Sequence, residues 1–99
     1  MMKLLMSWNI RTGREAEYFE FVVKEFAPGL MRLGLQPTEA WYTVYGDCSQ
    51  ILTGSVAEDI QTIQHVLSRA EWQELMDKLG VYVTDYRQKI VQATGGFQL

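Results

Sequence analysis

The sequence predicts an α+β fold: a ferredoxin-like β-α-β-β-α-β chain whose antiparallel sheet carries its helices on one face. Three observations carry that reading. An alternating strand pattern at the start gives way to helical periodicity. A hairpin candidate then runs from Ala40 to Val56, two β-prone stretches around a polar, Gly-containing turn. A second helical pattern follows, interrupted at Ser68, and leads into a β-prone tail.

At 99 residues the chain predicts one domain, 1–99, with room for a single modest core. Hydrophobic residues make up 47% and charged residues 21%, the balance of a globular protein rather than a disordered one. The formal charge of -3 and the scattered basic residues give no footprint for nucleic acid and no run that would hold anionic lipid. No apolar run approaches the ~20 residues that span a bilayer. Cys48 is the only cysteine, so no intrachain disulfide and no multi-thiolate metal site can form within one chain. The first residues turn polar too quickly for a signal peptide, and a reducing, cytoplasmic setting is the expectation.

Lys3 to Ile10 reads as the first strand, with Leu4, Met6, Trp8 and Ile10 on one face and Lys3, Leu5, Ser7 and Asn9 on the other. Thr12-Gly13-Arg14-Glu15 has the form of a capping box, the Thr hydroxyl accepting from the Glu N–H and the carboxylate reaching back. The following helix places Phe19, Val22, Val23, Phe26 and Leu30 at helical spacing. Pro28 removes one donor and predicts a kink or break, and Gly34 is the expected stop.

The hairpin splits into Ala40, Tyr42 and Val44 against Trp41, Thr43 and Tyr45, then Leu52, Gly54 and Val56 against Ile51, Thr53 and Ser55. After it, Ile60, Ile63, Val66 and Leu67 mark a short helix, with Glu58-Asp59 suiting the dipole at its start. Ser68-Arg69-Ala70-Glu71 is a second capping-box pattern, and Trp72, Leu75, Met76, Leu79 and Val83 form an apolar stripe beyond it. Gly80 weakens that helix by about 1 kcal/mol relative to Ala. Tyr86 and Ile90 could extend the stripe, but a strand from about Arg87 to Thr94 suits the tail better.

The more apolar strand set, Leu4, Met6, Trp8, Ile10, Tyr42, Val44, Leu52 and Val56, is expected beneath the helices. Leu5, Trp41, Thr43, Tyr45, Ile51 and Thr53 then fall on the opposite face, a patch larger than monomers usually expose. Burial against the same face of a second copy resolves it, and a homodimer is the predicted assembly.

Conventional chemistry is sparse. His65, the only histidine, points toward solvent by helical spacing. No His/Asp/Glu cluster has metal-ligand spacing, no nucleophile elbow is present, and no Gly-rich loop cradles phosphate. Neither a metal nor a cofactor is expected. Trp8, Tyr18, Tyr42 and Trp72 could wall an aromatic pocket between sheet and helices, or simply pack.

Strand 1 running into Thr12-Gly13-Arg14-Glu15-Ala16-Glu17-Tyr18-Phe19, together with Ser68-Arg69-Ala70-Glu71-Trp72-Gln73-Glu74-Leu75, resembles the dimeric α/β-barrel superfamily. That group includes antibiotic-biosynthesis monooxygenase-like, NIPSNAP-like and stress-responsive barrel proteins. The resemblance implies two sheets packed face to face across a twofold axis into an α/β barrel, with a cleft between sheet and helices in each protomer. Among the activities it implies, haem degradation is disfavoured. The second-half helix runs Leu75-Met76-Asp77-Lys78 where those relatives carry histidine, and Asn9 points away from the helices. Cofactor-independent oxygenation asks mainly for a shaped apolar cavity. The reading is a homodimer that binds a small apolar or aromatic ligand, monooxygenase-like chemistry being one activity open to it. The competing reading is a non-catalytic dimer whose aromatics only pack.

Overall fold

The computed structural model describes residues 1–45 and 48–93, apart from the side chains at 44, 45, 48 and 49. Strand β1 (Met2–Ile10) pairs on one side with β3 (Cys48–Ala57) and on the other with β4 (Val83–Gln92), while β2 (Gln36–Tyr45) lies beyond β3. Every pairing is antiparallel and the strand order is β2-β3-β1-β4, the ferredoxin-like arrangement expected from the element order. The predicted roles of the Val44 and Tyr45 side chains, the Cys48 thiol, the turn at 46–47 and Thr94 lie outside the described residues.

The first helical region is continuous but not uniform. Helix α1 (Glu15–Phe21) passes through a π-helical turn, Val22–Phe26, into α2 (Ala27–Leu33). Pro28 therefore sits in the first turn of α2, where its missing N–H is tolerated, and the predicted break becomes a widened turn just before it. That turn also shifts the buried stripe. Tyr18, Phe21, Phe26 and Leu30 face the core, whereas Phe19 and Val23, expected there, are exposed. Gly34, at φ 104°, ends α2, with the Leu35 N–H donating to the Leu30 carbonyl at 3.0 Å and the Gly34 N–H to Met31 at 3.1 Å. This is the Schellman stop, and it sinks Leu35 into the core.

Neither capping box forms. Helix α1 starts at Glu15 itself, whose carboxylate accepts from the Gly13 N–H at 3.0 and 3.1 Å because Gly13, at φ 86°, turns the chain back. Helix α3 (Ile60–Leu67) and α4 (Ala70–Leu79) are separated at Ser68 as predicted, but the Ser68 hydroxyl donates backward to the His65 carbonyl at 2.8 Å and closes α3. Glu71 pairs instead with Arg69. The true cap is Asp59, whose Oδ1 accepts from the Thr62 N–H at 2.8 Å and the Thr62 hydroxyl at 2.7 Å. Ile63 and Val66 of α3 are buried and Ile60 is not.

The stripe assigned to the second helix is too long. Helix α4 ends at Leu79, and Val83 and Tyr86 belong to β4. The tail is a strand, beginning four residues before the predicted start at Arg87.

Register decides the faces of the sheet. Ile51 lies opposite Trp8, Thr53 opposite Met6 and Ser55 opposite Leu4, so these three β3 residues share the helix-covered face with β1's apolar set. Tyr42 and Ala40 join them from β2. This corrects the predicted β3 assignment: Ile51 is 4% exposed in the core and Leu52, at 38%, stands on the open face. A one-residue slip inverts every side chain of a strand, and the alternation within β3 is too weak to decide it alone. The small Ser55 and Ala57, both buried, let α3 pack close against β3.

The open face thus carries Leu5, Trp41, Thr43 and Leu52, with Ile51 and Thr53 removed from the predicted set. It also carries an ion pair. Lys3 of β1 reaches Glu39 of β2 across β3, passing over Gly54. No helix among the described residues is long and apolar enough to cross a membrane.

Candidate functional site

Trp8 stands near the C-terminal end of β1, 1% exposed, on the face the helices cover. Its ring is edge-on to Phe26 at 5.7 Å and to Tyr18 at 6.4 Å, and it stacks on Tyr86 at 6.0 Å. The indole N–H must find a partner when buried. It donates to the Tyr18 hydroxyl at 2.9 Å, fixing α1 over β1.

Beside this pair lies a small cavity of about 150 Å³ between the sheet and the first helical region. The sheet contributes Trp8, Tyr42, Ile51 and Thr53; α1 contributes Tyr18 and Phe19; the π-helical turn contributes Val22 and Phe26. π-helical turns are frequent at functional sites, and here one supplies part of the wall. Phe19 and Tyr42, their centroids 5.6 Å apart and both part-exposed, stand at its solvent side.

Two of the residues in this apolar wall carry buried hydroxyls. Thr53 Oγ1 is buried and makes no hydrogen bond among the described residues. Leaving such a group unpaired costs about 1–3 kcal/mol, so it is an outlier among the buried side chains of the described residues. Tyr18 accepts from Trp8, and no acceptor for its own proton lies among the described residues. Burial, opposed by the Trp8 hydrogen bond, pushes the Tyr18 phenol up to about 12. The hydroxyl therefore stays protonated at neutral pH. No Asp, Glu, His, Lys or Arg side chain lines the cavity.

Of the four aromatic residues singled out from the sequence, the structure brings Trp8, Tyr18 and Tyr42 to this cavity. Trp72 lies elsewhere, lining a separate cleft of about 310 Å³ with Met76, Tyr86 and Gln88. The sequence reading missed Thr53 and Ile51 as cavity residues because it turned β3 over. Their signal was available only through register, as neighbours of Met6 and Trp8.

The remaining candidates are accounted for. His65 is exposed on α3, as expected. Asn9 points to the open face, where its amide donates to Asp85 Oδ2 at 3.0 Å. Asp85, at φ 57°, is the extra residue of a β-bulge in β4: Ser7 pairs with Arg87 and Asn9 with Thr84, so two β4 residues oppose Trp8. No group of His, Cys, Asp and Glu that could hold a metal occurs among the described residues.

No family model and no curated protein matches this chain in sequence. Solved structures do match it in shape. An uncharacterised NIPSNAP domain protein from Burkholderia xenovorans superposes with a TM-score of 0.73 at 11% identity, covering 99% of each chain. A protein from Deinococcus radiodurans, provisionally assigned as an antibiotic biosynthesis monooxygenase, gives 0.71 at 13% identity, covering 100% of this chain and 98% of the other. At3g17210 from Arabidopsis thaliana gives 0.76 at 12% identity, covering 99% and 100%. Likeness at such low identity establishes the fold, and it is the fold the sequence resemblance implied.

Proposed function

We propose that this protein is a homodimer that binds a small apolar or aromatic molecule in the cavity between β1, β3 and the first helical region. The observation that carries the reading is the cavity itself: aromatic and aliphatic walls, the part-exposed Tyr42 at its mouth, and the buried Trp8–Tyr18 pair beside it. Ligand sites are mostly apolar with a few placed polar groups, and this one has that composition on a small scale. The open face supports the dimer. Trp41 and Leu52 are 41% and 38% exposed on adjacent strands and directly paired, an apolar centre suited to burial against its own twin.

Binding is better supported than turnover. Cofactor-independent oxygenation of a quinol needs a group that removes a proton, and no Asp, Glu, His or Lys lines the cavity. A cytoplasmic setting, without cofactor, metal, nucleic acid or membrane, completes the proposal.

The test is a titration of isotopically labelled protein with a panel of one-ring and three-ring aromatic alcohols and quinols, following the Trp8 indole N–H resonance. A saturable shift supports the ligand site; an unmoved resonance across the panel overturns it. Oxygen uptake with the quinols separates an oxygenase from a binding protein. The alternative, a dimer whose aromatics only pack, draws on Trp8 being 1% exposed and wedged among three rings. It predicts the unmoved resonance together with a dimeric mass by light scattering.

A further inference from the structure

We infer that the cleft between α4 and β4 is a second binding site, one that takes a small organic cation of the quaternary or methylated ammonium class. It lies apart from the cavity already described. Trp8 walls that cavity and Tyr86 walls this cleft, and the stack of their two rings, 6.0 Å between centroids, divides them.

The lining is the first argument. Trp72 and Met76 of α4 and Tyr86 and Gln88 of β4 border about 310 Å³ that opens to solvent. Trp8 lies nearly parallel to Tyr86 and covers one side of its ring, which leaves the other side to the cleft. Aromatic faces attract cations through their quadrupole, and quaternary ammonium groups are the ligands that exploit this most. The Met76 thioether adds a soft, polarizable surface that suits methyl groups. Because the cleft is open, a head group can sit in it while the rest of a larger molecule trails outside.

Charge is the second. Asp77 is the only charged side chain among the described residues that line the cleft. Its Oδ1 accepts from Gln73 Nε2 at 2.9 Å, which steadies the carboxylate, and its Oδ2 has no partner among the described residues. Two cations adjoin the lining, and both are engaged. Lys78 pairs with Glu25 at 3.0 Å, and Arg11 donates to the Gly80 carbonyl at 3.3 Å. A ligand in the cleft therefore meets an acid and aromatic surface. Asp77 is exposed, so its attraction alone is modest and the ring must supply part of the selectivity.

The experiment compares choline, its neutral tert-butyl isostere and pivalate, an anion of similar bulk. Calorimetry and the Trp72 indole N–H resonance follow binding to the native protein, to Asp77→Asn and to Tyr86→Phe. Choline is expected to bind about tenfold more tightly than its isostere, the sum of an exposed ion pair and one cation–π contact. Pivalate should bind most weakly, and added salt should weaken choline alone. Asp77→Asn keeps an acceptor for Gln73 and removes the charge, so it should cut the choline preference about threefold. Tyr86→Phe keeps the ring and should leave choline affinity unchanged. Equal binding of choline and its isostere overturns the inference. So does an undiminished preference in Asp77→Asn, or loss of choline affinity in a folded Tyr86→Phe, which would assign the contact to the hydroxyl. A Trp72 resonance unmoved by all three compounds removes this site and leaves the first cavity standing.

Discussion

The Glu39 carboxylate lies over the Cα of Gly54: a Cβ at position 54 would stand 2.6 Å from Glu39 Oε1 and 3.2 Å from its Cγ. The absence of a side chain on β3 is what lets an acid on β2 reach a lysine on β1, two strands away. Lys3 is buried for a lysine, at 8% exposure, so its partner matters more than in a solvated surface pair.

Gly54→Ala should therefore push the carboxylate aside and destabilise the protein by about 1–2 kcal/mol, read as a fall in the denaturant midpoint. In a Glu39→Ala background the same change should be neutral or stabilising, because glycine inside a strand is itself unfavourable. Additive effects of the two substitutions would show that Gly54 does not serve the ion pair.

Sheet faces give the second prediction. Leu52→Lys and Trp41→Asp should shift light scattering toward the monomer while leaving the fold intact, and His65→Ala should change neither. Ile51→Lys should instead unfold the protein, at a cost above about 3 kcal/mol, because it buries an unpaired charge beneath the helices. Similar outcomes for Leu52→Lys and Ile51→Lys would reverse the register argument.

Alkaline stability follows from Tyr18, which is buried, and Tyr86, which is half-buried. Burial raises Tyr18 to about 12 and Tyr86 further still. In the unfolded chain both ionise near the ordinary value of 10, so above it the unfolded state releases protons that the native state retains. The stability due to these groups is complete below pH 10 and declines as pH rises toward about 12. Tyr18→Phe should flatten that decline in denaturant melts. Tyrosinate absorbance of the native protein should show groups that titrate late.

Acid behaviour is the mirror case. The Thr62 side-chain and backbone hydrogen bonds hold Asp59 below the usual carboxylate value. The charged cap stabilises α3 fully above the unfolded value near 3.8, and that contribution fades as pH falls through the lower native value. Asp59→Ala should lower Tm at pH 7 and make less difference near pH 2. A constant Tm offset across that range would rule out the charged cap.

Much of the fold could be read from local pattern. The alternation of Leu4, Met6, Trp8 and Ile10 names β1 and its buried face outright, and Gly34 marks its helix end. Errors arose where a backbone irregularity imitated another periodicity. Leu79, Val83, Tyr86 and Ile90 are spaced four, three and four apart, as on a helix. The spacing is instead the product of a helix end followed by a strand whose bulge at Asp85 adds one residue. Strand β3 failed for another reason. Its two faces, Ile51, Thr53 and Ser55 against Leu52, Gly54 and Val56, differ too little in hydrophobicity to orient it. Only pairing with β1 does so.

The candidate site was legible to the same extent. Trp8, Tyr18 and Tyr42 were recognisable as aromatic groups on a buried strand face, its helix and the adjoining strand. Thr53 was not, since its importance lies in lacking a partner, a property no composition or spacing displays.

The π-helical turn at Val22–Phe26 gives the site an unusual dependence. Each residue advances an α-helix by about 100°, so one extra residue in that turn acts as a rotational spacer between α1 and α2. Were one residue deleted there and regular winding restored, α2 would stay anchored by Leu30 and Leu35 while Tyr18 and Phe19 swung round the axis. Trp8 would lose its acceptor and the cavity would lose a wall, without any side chain of the site having been substituted. The pocket's shape is thus encoded as much in the count of residues between two anchors as in their identity.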